Sequence, residues 1–175
     1  MSDNEEVPDF ELWAATEGDD EVERAEALAQ LAVRHFQNDK FSEAIPLASQ
    51  AREEFAKLGD GRSEGEISVV EGRCFQALER YTEAIESFER AADRFRVFSS
   101  EQSLADAIRG KADAQCALDL DEAAIDSYRS ASTIYESNDL LTLAGICLLD
   151  AGEVQGSMGH QSEALKTFEQ ALELF

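Results

Sequence analysis

The sequence predicts an all-α protein built from four tandem pairs of helices. Alanine, glutamate and leucine, which are strong helix formers, are abundant among the 175 residues. No run of alternating β-branched residues is long enough to build a sheet. A five-residue motif recurs every forty residues, and the apolar residues around each copy follow helical spacing. With 43% hydrophobic residues, the chain can form a packed core.

The recurring motif divides the chain into repeats. It reads FSEAI at 41–45, YTEAI at 81–85, DEAAI at 121–125 and QSEAL at 161–165, without insertion or deletion between the copies. Strict self-similarity at a fixed period is typical of stacked helical repeats. We therefore predict repeats at about 21–60, 61–100, 101–138 and 139–175, each made of a first and a second helix.

The second helix of each repeat carries an apolar stripe. Steps of four, three and four residues place small and aromatic side chains on one face of a helix. The positions of the stripe are Ala44, Ala84, Ala124 and Ala164, then Ala48, Phe88, Tyr128 and Phe168, then Ala51, Ala91, Ala131 and Ala171, then Phe55, Phe95, Tyr135 and Phe175. The small residues let a neighbouring helix approach closely, and the aromatic rings fill the space beside it.

The first helix of each repeat has a small residue as its contact point, at Ala32, Gly72, Ala112 and Gly152. Ser63 and Glu66 have capping-box spacing, which predicts that the first helix of the second repeat begins at residue 64. Pro46 predicts a late start or a kink in the second helix of the first repeat.

Residues 1–20 form an acidic N-terminal segment with eight acidic residues and no basic one. Within it, DFELW at 9–13 contains Phe10, Leu12 and Trp13. One interpretation is a partly disordered tail with a short helix that caps the first repeat. The other is a linear motif that occupies the protein's own groove or that of a partner.

The net charge of −23, from 15 basic and 38 acidic residues, bears on partners. Such a surface repels a phosphate backbone and an anionic membrane, so we expect neither nucleic acid nor membrane as a partner. The acidic surface either serves solubility alone or attracts a basic partner.

Three cysteines, Cys74, Cys116 and Cys147, are odd in number and widely spaced, so no disulfide framework or zinc motif is indicated. The N-terminus lacks the pattern of a signal peptide, and no apolar run is long enough to span a membrane. These features predict a cytoplasmic protein.

Catalytic, cofactor-binding and metal-binding motifs are also absent from the sequence. His35 is expected in or near the core rather than in a catalytic role. We therefore predict that the protein is not an enzyme and needs no cofactor or metal.

The second copy of the repeat, Gly72…Phe75…Tyr81-Thr82-Glu83-Ala84-Ile85…Phe88…Ala91, resembles the tetratricopeptide repeat. The third and fourth copies depart from it, with Asp121 and Gln161 in place of an aromatic residue. The resemblance covers about residues 21–175, and the period of forty is similar to a longer branch of a family whose usual period is 34. It implies a right-handed α-solenoid of four repeats.

The resemblance also implies a peptide-binding concave groove lined by first helices. The family's groove positions correspond here to Glu26, Ala29, Val33 and Phe36, to Glu66, Val69, Arg73 and Gln76, to Asp106, Arg109, Asp113 and Cys116, and to Ile146, Leu149 and Glu153. Some family members bind a C-terminal carboxylate through lysine and asparagine in this groove. Ala29 and Val33 stand where those residues would be, so that activity is not implied.

Arg73 and Arg109 are the basic residues among these groove positions. They could bind a carboxylate of a ligand. Alternatively, they could pair with Glu66, Asp106 or Asp113 along and between the helices.

These features predict a protein–protein interaction module, an adaptor or scaffold that binds a peptide or helix of a partner. Two alternatives remain open: a sensor or regulatory domain of a longer protein that responds to a small peptide or ligand, and a non-catalytic subunit or domain of a larger enzyme. The last helix is apolar on more than one face, so we expect a homodimer through the C-terminal repeat, or a further helix or cap beyond residue 175.

Overall fold

The computed structural model describes residues 8–175 and contains, within that range, nine helices and no strand. A short helix α1 precedes four pairs, in which a first helix is followed by a second. The bounds are α1 Asp9–Thr16, α2 Glu21–Gln37, α3 Phe41–Leu58, α4 Gly61–Ala77, α5 Tyr81–Val97, α6 Glu101–Ala117, α7 Asp121–Ser137, α8 Leu141–Ser157 and α9 Gln161–Leu172. The prediction of an all-helical fold of tandem helix pairs is confirmed.

All seven turns between consecutive helices from α2 to α9, within repeats and between them, share one backbone geometry. Each contains a residue with φ between 51° and 82°, in the left-handed region, and the next helix begins two residues later. These residues are twenty positions apart: Asp39, Gly59, Glu79, Ser99, Asp119, Asp139 and Gly159. A single left-handed residue reverses the chain within a short turn, so consecutive helices run antiparallel.

The expected start of one helix is wrong, and the late start considered for another is not found. Helix α4 begins at Gly61 rather than at residue 64, because the carboxylate of Asp60, not the hydroxyl of Ser63, caps it. Asp60 accepts a hydrogen bond from the backbone N–H of Ser63 at 3.1 Å. Helix α3 begins at Phe41, with no late start, and runs through Pro46.

The second and fourth helix pairs pack a glycine of the first helix against an aromatic ring of the second helix. In the second repeat a Cβ added to Gly72 would lie 3.0 Å from the Phe88 ring, and one added to Gly65 would lie 2.9 Å from the Phe95 ring. In the fourth repeat the same kind of contact joins Gly152 to the ring of Phe168. The close approach predicted from the stripes is therefore present, and it leaves no room for a side chain on the first helix.

We predict opposite effects for two glycine-to-alanine substitutions. A Cβ at Gly110 would lie 2.7 Å from the buried ring of Phe88, so Gly110→Ala should destabilise the fold by about 1–2 kcal/mol. A Cβ at Gly156 meets nothing within 4 Å, so Gly156→Ala should stabilise α8 by about 0.5 kcal/mol through helix propensity. Urea unfolding of both variants measures the difference, and effects of the same sign would contradict the packing described here.

The repeats form an arc with the first helices on its inner side. Helix α2 contacts α4, and α4 contacts α6. Between residues 8 and 175, contacts of similar extent do not join the second helices α3, α5 and α7 to one another. In the first three repeats the first helices approach each other more closely than the second helices do, so this part of the row bends toward the first helices. Helices α6 and α8 share no contact of similar extent.

Helix α1 packs against α2 at the N-terminal end of the row of repeats. Leu12 is buried in a cluster that includes Ala27 and Leu28 of α2. The carboxylate of Asp9 pairs with the guanidinium of Arg34 near the end of α2. Phe10 and Trp13 of the same short helix point to solvent.

The last helix, α9, has an exposed apolar face. Leu165, Leu172 and Phe175 are 59%, 70% and 63% exposed. Forty and eighty residues earlier, Tyr135 and Phe95, the equivalents of Phe175, are only 0% and 2% exposed. In the earlier repeats the next first helix covers this face of the second helix, and α9 has no such neighbour within the described residues.

Candidate functional site

The predicted groove positions lie on the surface of the four first helices, and we call this surface the first-helix face. None of these side chains is buried in the core. The exposed ones are Glu26, Glu66, Arg73, Asp113 and Glu153, and the half-buried ones are Ala29, Val33, Phe36, Val69, Gln76, Asp106, Arg109, Cys116, Ile146 and Leu149. The helical spacing thus brings all fifteen to the surface of the same four helices.

The first-helix face has a mainly apolar hollow at its α2–α4 end. This hollow of about 150 Å³ lies between α2, α3 and α4, and its wall contains Ala29, Val33 and Val70 together with Ser63 and Glu66. Phe55 and Ile67, from the core, lie at its base. This end of the face can therefore accept an apolar side chain of modest size.

The same face is acidic at its α6–α8 end, and two tyrosines of α7 hold two of the carboxylates. The Tyr128 hydroxyl donates a hydrogen bond to Asp113 at 2.7 Å. The Tyr135 hydroxyl donates one to Asp106 at 2.5 Å. Both tyrosines belong to the apolar stripe, and the sequence pattern alone did not indicate that their hydroxyl groups reach the groove carboxylates.

These hydrogen bonds predict a measurable effect in alkali. Burial, together with the bonds to Asp113 and Asp106, raises the pKa of the Tyr128 and Tyr135 hydroxyls well above the usual value of 10. A pKa raised in the folded state stabilises the fold below the pKa of the unfolded chain, and this stability is lost as pH rises above about 10.

We therefore expect phenolate absorbance from Tyr128 and Tyr135 only when the folded chain unfolds in alkali. The double variant Tyr128→Phe/Tyr135→Phe should remove that part of the absorbance change. Ionisation of both hydroxyls near pH 10 in the folded protein would show that they are not buried and bonded as described.

Asp150 of α8 is a further groove carboxylate, absent from the predicted set. It is half-buried, and burial followed by the charge of Asp113 raises its pKa. Although Asp113 as a whole residue is exposed, partial desolvation of its carboxyl group by the surrounding helices raises its pKa, against the opposing effects of the Tyr128 hydrogen bond and of Arg109. The signal that could have identified Asp150 is its register, four residues beyond Ile146 and therefore on the same side of α8.

The two groove arginines are not in direct ion pairs. Among residues 8–175, no carboxylate oxygen lies within 4.0 Å of the guanidinium of Arg73 or Arg109. Burial lowers the pKa of Arg109, but the negative charges of Asp113 and Asp150 are among the effects that raise it above its usual value. Neither alternative for the arginines is therefore established, although Arg109 stands in an attractive field of nearby carboxylates.

Some groove residues already have structural contacts. The ring centroids of Phe36 and Phe41 lie 5.7 Å apart, at the junction of α2 and α3. The Gln76 side chain donates a hydrogen bond to the carbonyl of Gly110 at 3.2 Å and so links α4 to α6. Burial, followed by nearby carboxylates, raises the pKa of the Cys116 thiol, which lowers its reactivity.

Metal-binding and membrane-spanning features are absent from the part of the chain that the structure describes. Over residues 8–175, no three histidine, cysteine or acidic side chains are placed to bind a metal ion. No helix in that range is long and apolar enough to cross a membrane. An open hollow of about 480 Å³ between α7, α8 and α9 is lined by Arg129, Glu136 and Glu173 and contains none of the predicted groove residues.

Known proteins share this architecture. A family model for the tetratricopeptide repeat matches residues 68–137. The fold is similar to the apo form of RapI, with a TM-score of 0.82 and 15% identity, over 93% of this chain and 59% of that one. No curated protein matches the sequence.

Two further solved structures are similar. A Rap protein complexed with competence and sporulation factor gives a TM-score of 0.72 and 16% identity, over 90% of this chain and 44% of that one. A signal transduction ATPase with numerous domains and a tetratricopeptide repeat sensor, from Pyrococcus horikoshii, gives a TM-score of 0.79 and 16% identity, over 94% and 26%. At these identities the likeness concerns the fold, and the chain spans 26% to 59% of the three proteins.

Proposed function

We propose that this chain, a tetratricopeptide repeat protein, is a non-catalytic interaction module that binds a peptide or helix of a partner protein along its first-helix face. The observation that carries the proposal is the position of that face. It lies on the inner side of the arc, and its side chains remain accessible on all four first helices. A concave surface lets an elongated ligand contact several repeats at once.

The similar fold of the Rap protein solved in complex with competence and sporulation factor supports the proposal by analogy. The α2–α4 hollow adds local support, because it is an unfilled apolar site within the first-helix face. Neither observation names the partner of this chain.

Partner capture from the native host tests the proposal. Ala29→Phe fills the α2–α4 hollow, and Ala123→Phe makes the same change at an exposed alanine of α7. We expect a partner, identified by mass spectrometry and purified, to bind the wild type and Ala123→Phe but to bind Ala29→Phe at least tenfold more weakly. Equal affinity for both variants would place the binding site elsewhere.

A sensor domain of a longer regulator is a second candidate function. The likeness to the Pyrococcus horikoshii protein with a tetratricopeptide repeat sensor favours it. A sensor must change conformation when its ligand binds, whereas an adaptor need not. A ligand-dependent change in the radius of gyration, measured by small-angle scattering, supports the sensor function, and an unchanged radius supports the adaptor.

A homodimer through α9 is also proposed. The exposed face with Leu165, Leu172 and Phe175 would be covered if two copies packed α9 against α9 about a two-fold axis. We expect a dimer mass by light scattering for the wild type and a monomer for Phe175→Glu. Phe10→Glu, at an exposed phenylalanine of the other end, should remain dimeric. A wild type that is monomeric at high concentration would exclude the dimer.

A further inference from the structure

The first-helix face has two chemically different ends, and this bears on the ligand of the proposed function. At the α2–α4 end, Ala29, Val33 and Val70 border a hollow of about 150 Å³. At the α6–α8 end the prominent side chains are carboxylates: Asp106, Asp113, Asp150 and Glu153. A ligand that fits both ends must therefore differ in polarity and charge between its two ends.

The carboxylates of the α6–α8 end lack direct counter-ions. In the part of the chain that the structure describes, no basic side chain lies within 4.0 Å of these four groups. Arg109 is the nearby cation, and its single charge leaves three of the four negative charges unbalanced. The Tyr128 and Tyr135 hydroxyls hold Asp113 and Asp106 in place, so these carboxylates need little reordering to receive a ligand.

Like charges oppose one another at this end of the face, because the charges of Asp113 and Glu153 add to desolvation in raising the pKa of Asp150. A cation placed between Asp113 and Asp150 would relieve this repulsion and gain attraction from both. An anionic ligand would add to the repulsion at this end. Charge complementarity therefore selects a basic group here.

Resting on the proposed function, we infer that the first-helix face binds an extended polypeptide segment with an apolar side chain in the α2–α4 hollow and a lysine or arginine between Asp113 and Asp150. Neighbouring packed helices lie about 8–10 Å apart, so the two ends are separated by about 16–20 Å. An extended chain covers this distance in about five or six residues.

The probe is a random peptide library of about twelve residues displayed on phage, selected on the immobilised protein. Such peptides can span about 40 Å when extended. We expect enriched peptides to carry an aromatic or aliphatic residue about five or six positions from a lysine or arginine. Synthetic copies of these peptides are then measured by fluorescence anisotropy.

Matched variants separate the groove from general attraction to an acidic protein. Asp113→Asn/Asp150→Asn should weaken binding about tenfold, while Asp126→Asn/Glu169→Gln, which removes the same charge at exposed sites of α7 and α9, should change it less than twofold. Asparagine can still accept the Tyr128 hydrogen bond, and circular dichroism checks the fold of both double variants. Arg73→Glu, which adds negative charge to the face, should tighten binding.

The outcomes test the inferred ligand chemistry and the proposed peptide-binding function separately. Enriched peptides without a basic residue, or equal weakening by both double variants, overturn the inferred ligand chemistry. If such peptides still lose affinity for Ala29→Phe, the proposed function survives. If no peptide is enriched on the wild type relative to Ala29→Phe, the proposed peptide-binding function itself is overturned.

Discussion

Replacing Phe88 by alanine is expected to destabilise the fold by about 3–5 kcal/mol. The Phe88 side chain is 1% exposed, and its ring lies between two first helices, against Gly72 of α4 and Gly110 of α6. Both contacts involve backbone that cannot collapse into the space, because each helix is held by its own neighbours. The variant therefore loses the transfer free energy of the ring and retains a cavity.

Urea unfolding followed by circular dichroism measures this effect. Phe10→Ala is the matched control, since the Phe10 side chain is 71% exposed in α1. We expect the unfolding midpoint of Phe10→Ala to lie close to that of the wild type. A midpoint unchanged by Phe88→Ala would mean that the ring is not between α4 and α6 and that the register of the repeats is wrong.

Replacing Glu71 by alanine is expected to destabilise the fold by about 2–4 kcal/mol. The Glu71 side chain is 5% exposed and lies between α3, α4 and α5. Its carboxylate accepts hydrogen bonds from Ser49 at 2.5 Å, from Ser87 at 3.3 Å and from Arg90 at 3.1 Å. Arg52 lies 3.7 Å away on the other side. Removing the carboxylate leaves these donors without their acceptor where helices α3, α4 and α5 meet.

Glu66→Ala on the same helix is the control for Glu71→Ala. Glu66 is exposed and pairs with the exposed Arg62 at 3.1 Å, a contact worth under about 0.5 kcal/mol. The difference between the two variants in urea unfolding isolates the buried cluster. Equal effects would mean that Glu71 contributes only a surface charge.

The family's aromatic position illustrates how the repeats diverge. Phe75 fills it in the second repeat, and Gln115 and Gln155 take its place in the third and fourth. Each glutamine is buried and accepts a hydrogen bond from the following second helix, from Ser127 at 2.8 Å and from Thr167 at 2.7 Å. The second repeat already has a serine at the position of Ser127, and that residue, Ser87, donates its hydrogen bond to Glu71 instead. Glutamine can replace the aromatic side chain because it accepts the hydroxyl's hydrogen bond within the core.

The candidate groove combines features that the sequence predicted with features that only the structure shows. The sequence predicted which first-helix positions are accessible, because one helical turn separates them along a single face. It did not predict that Asp150 joins Asp113, that Tyr128 bonds to Asp113, or that Arg73 and Arg109 lack direct ion pairs. Those facts depend on distances between helices from different repeats, which the spacing within one helix does not contain.

By itself, the sequence determined the number, type and order of the paired helices and the places where the chain turns. These features are local: helix propensity, the apolar stripes and the forty-residue recurrence act within a few turns of helix. Only the tertiary structure decided that Asp60 caps α4, that Glu71 is buried among serines and arginines, and that one end of the first-helix face is apolar and the other acidic. Burial and desolvation arise where separate helices meet, so they depend on the approach of segments far apart in the chain.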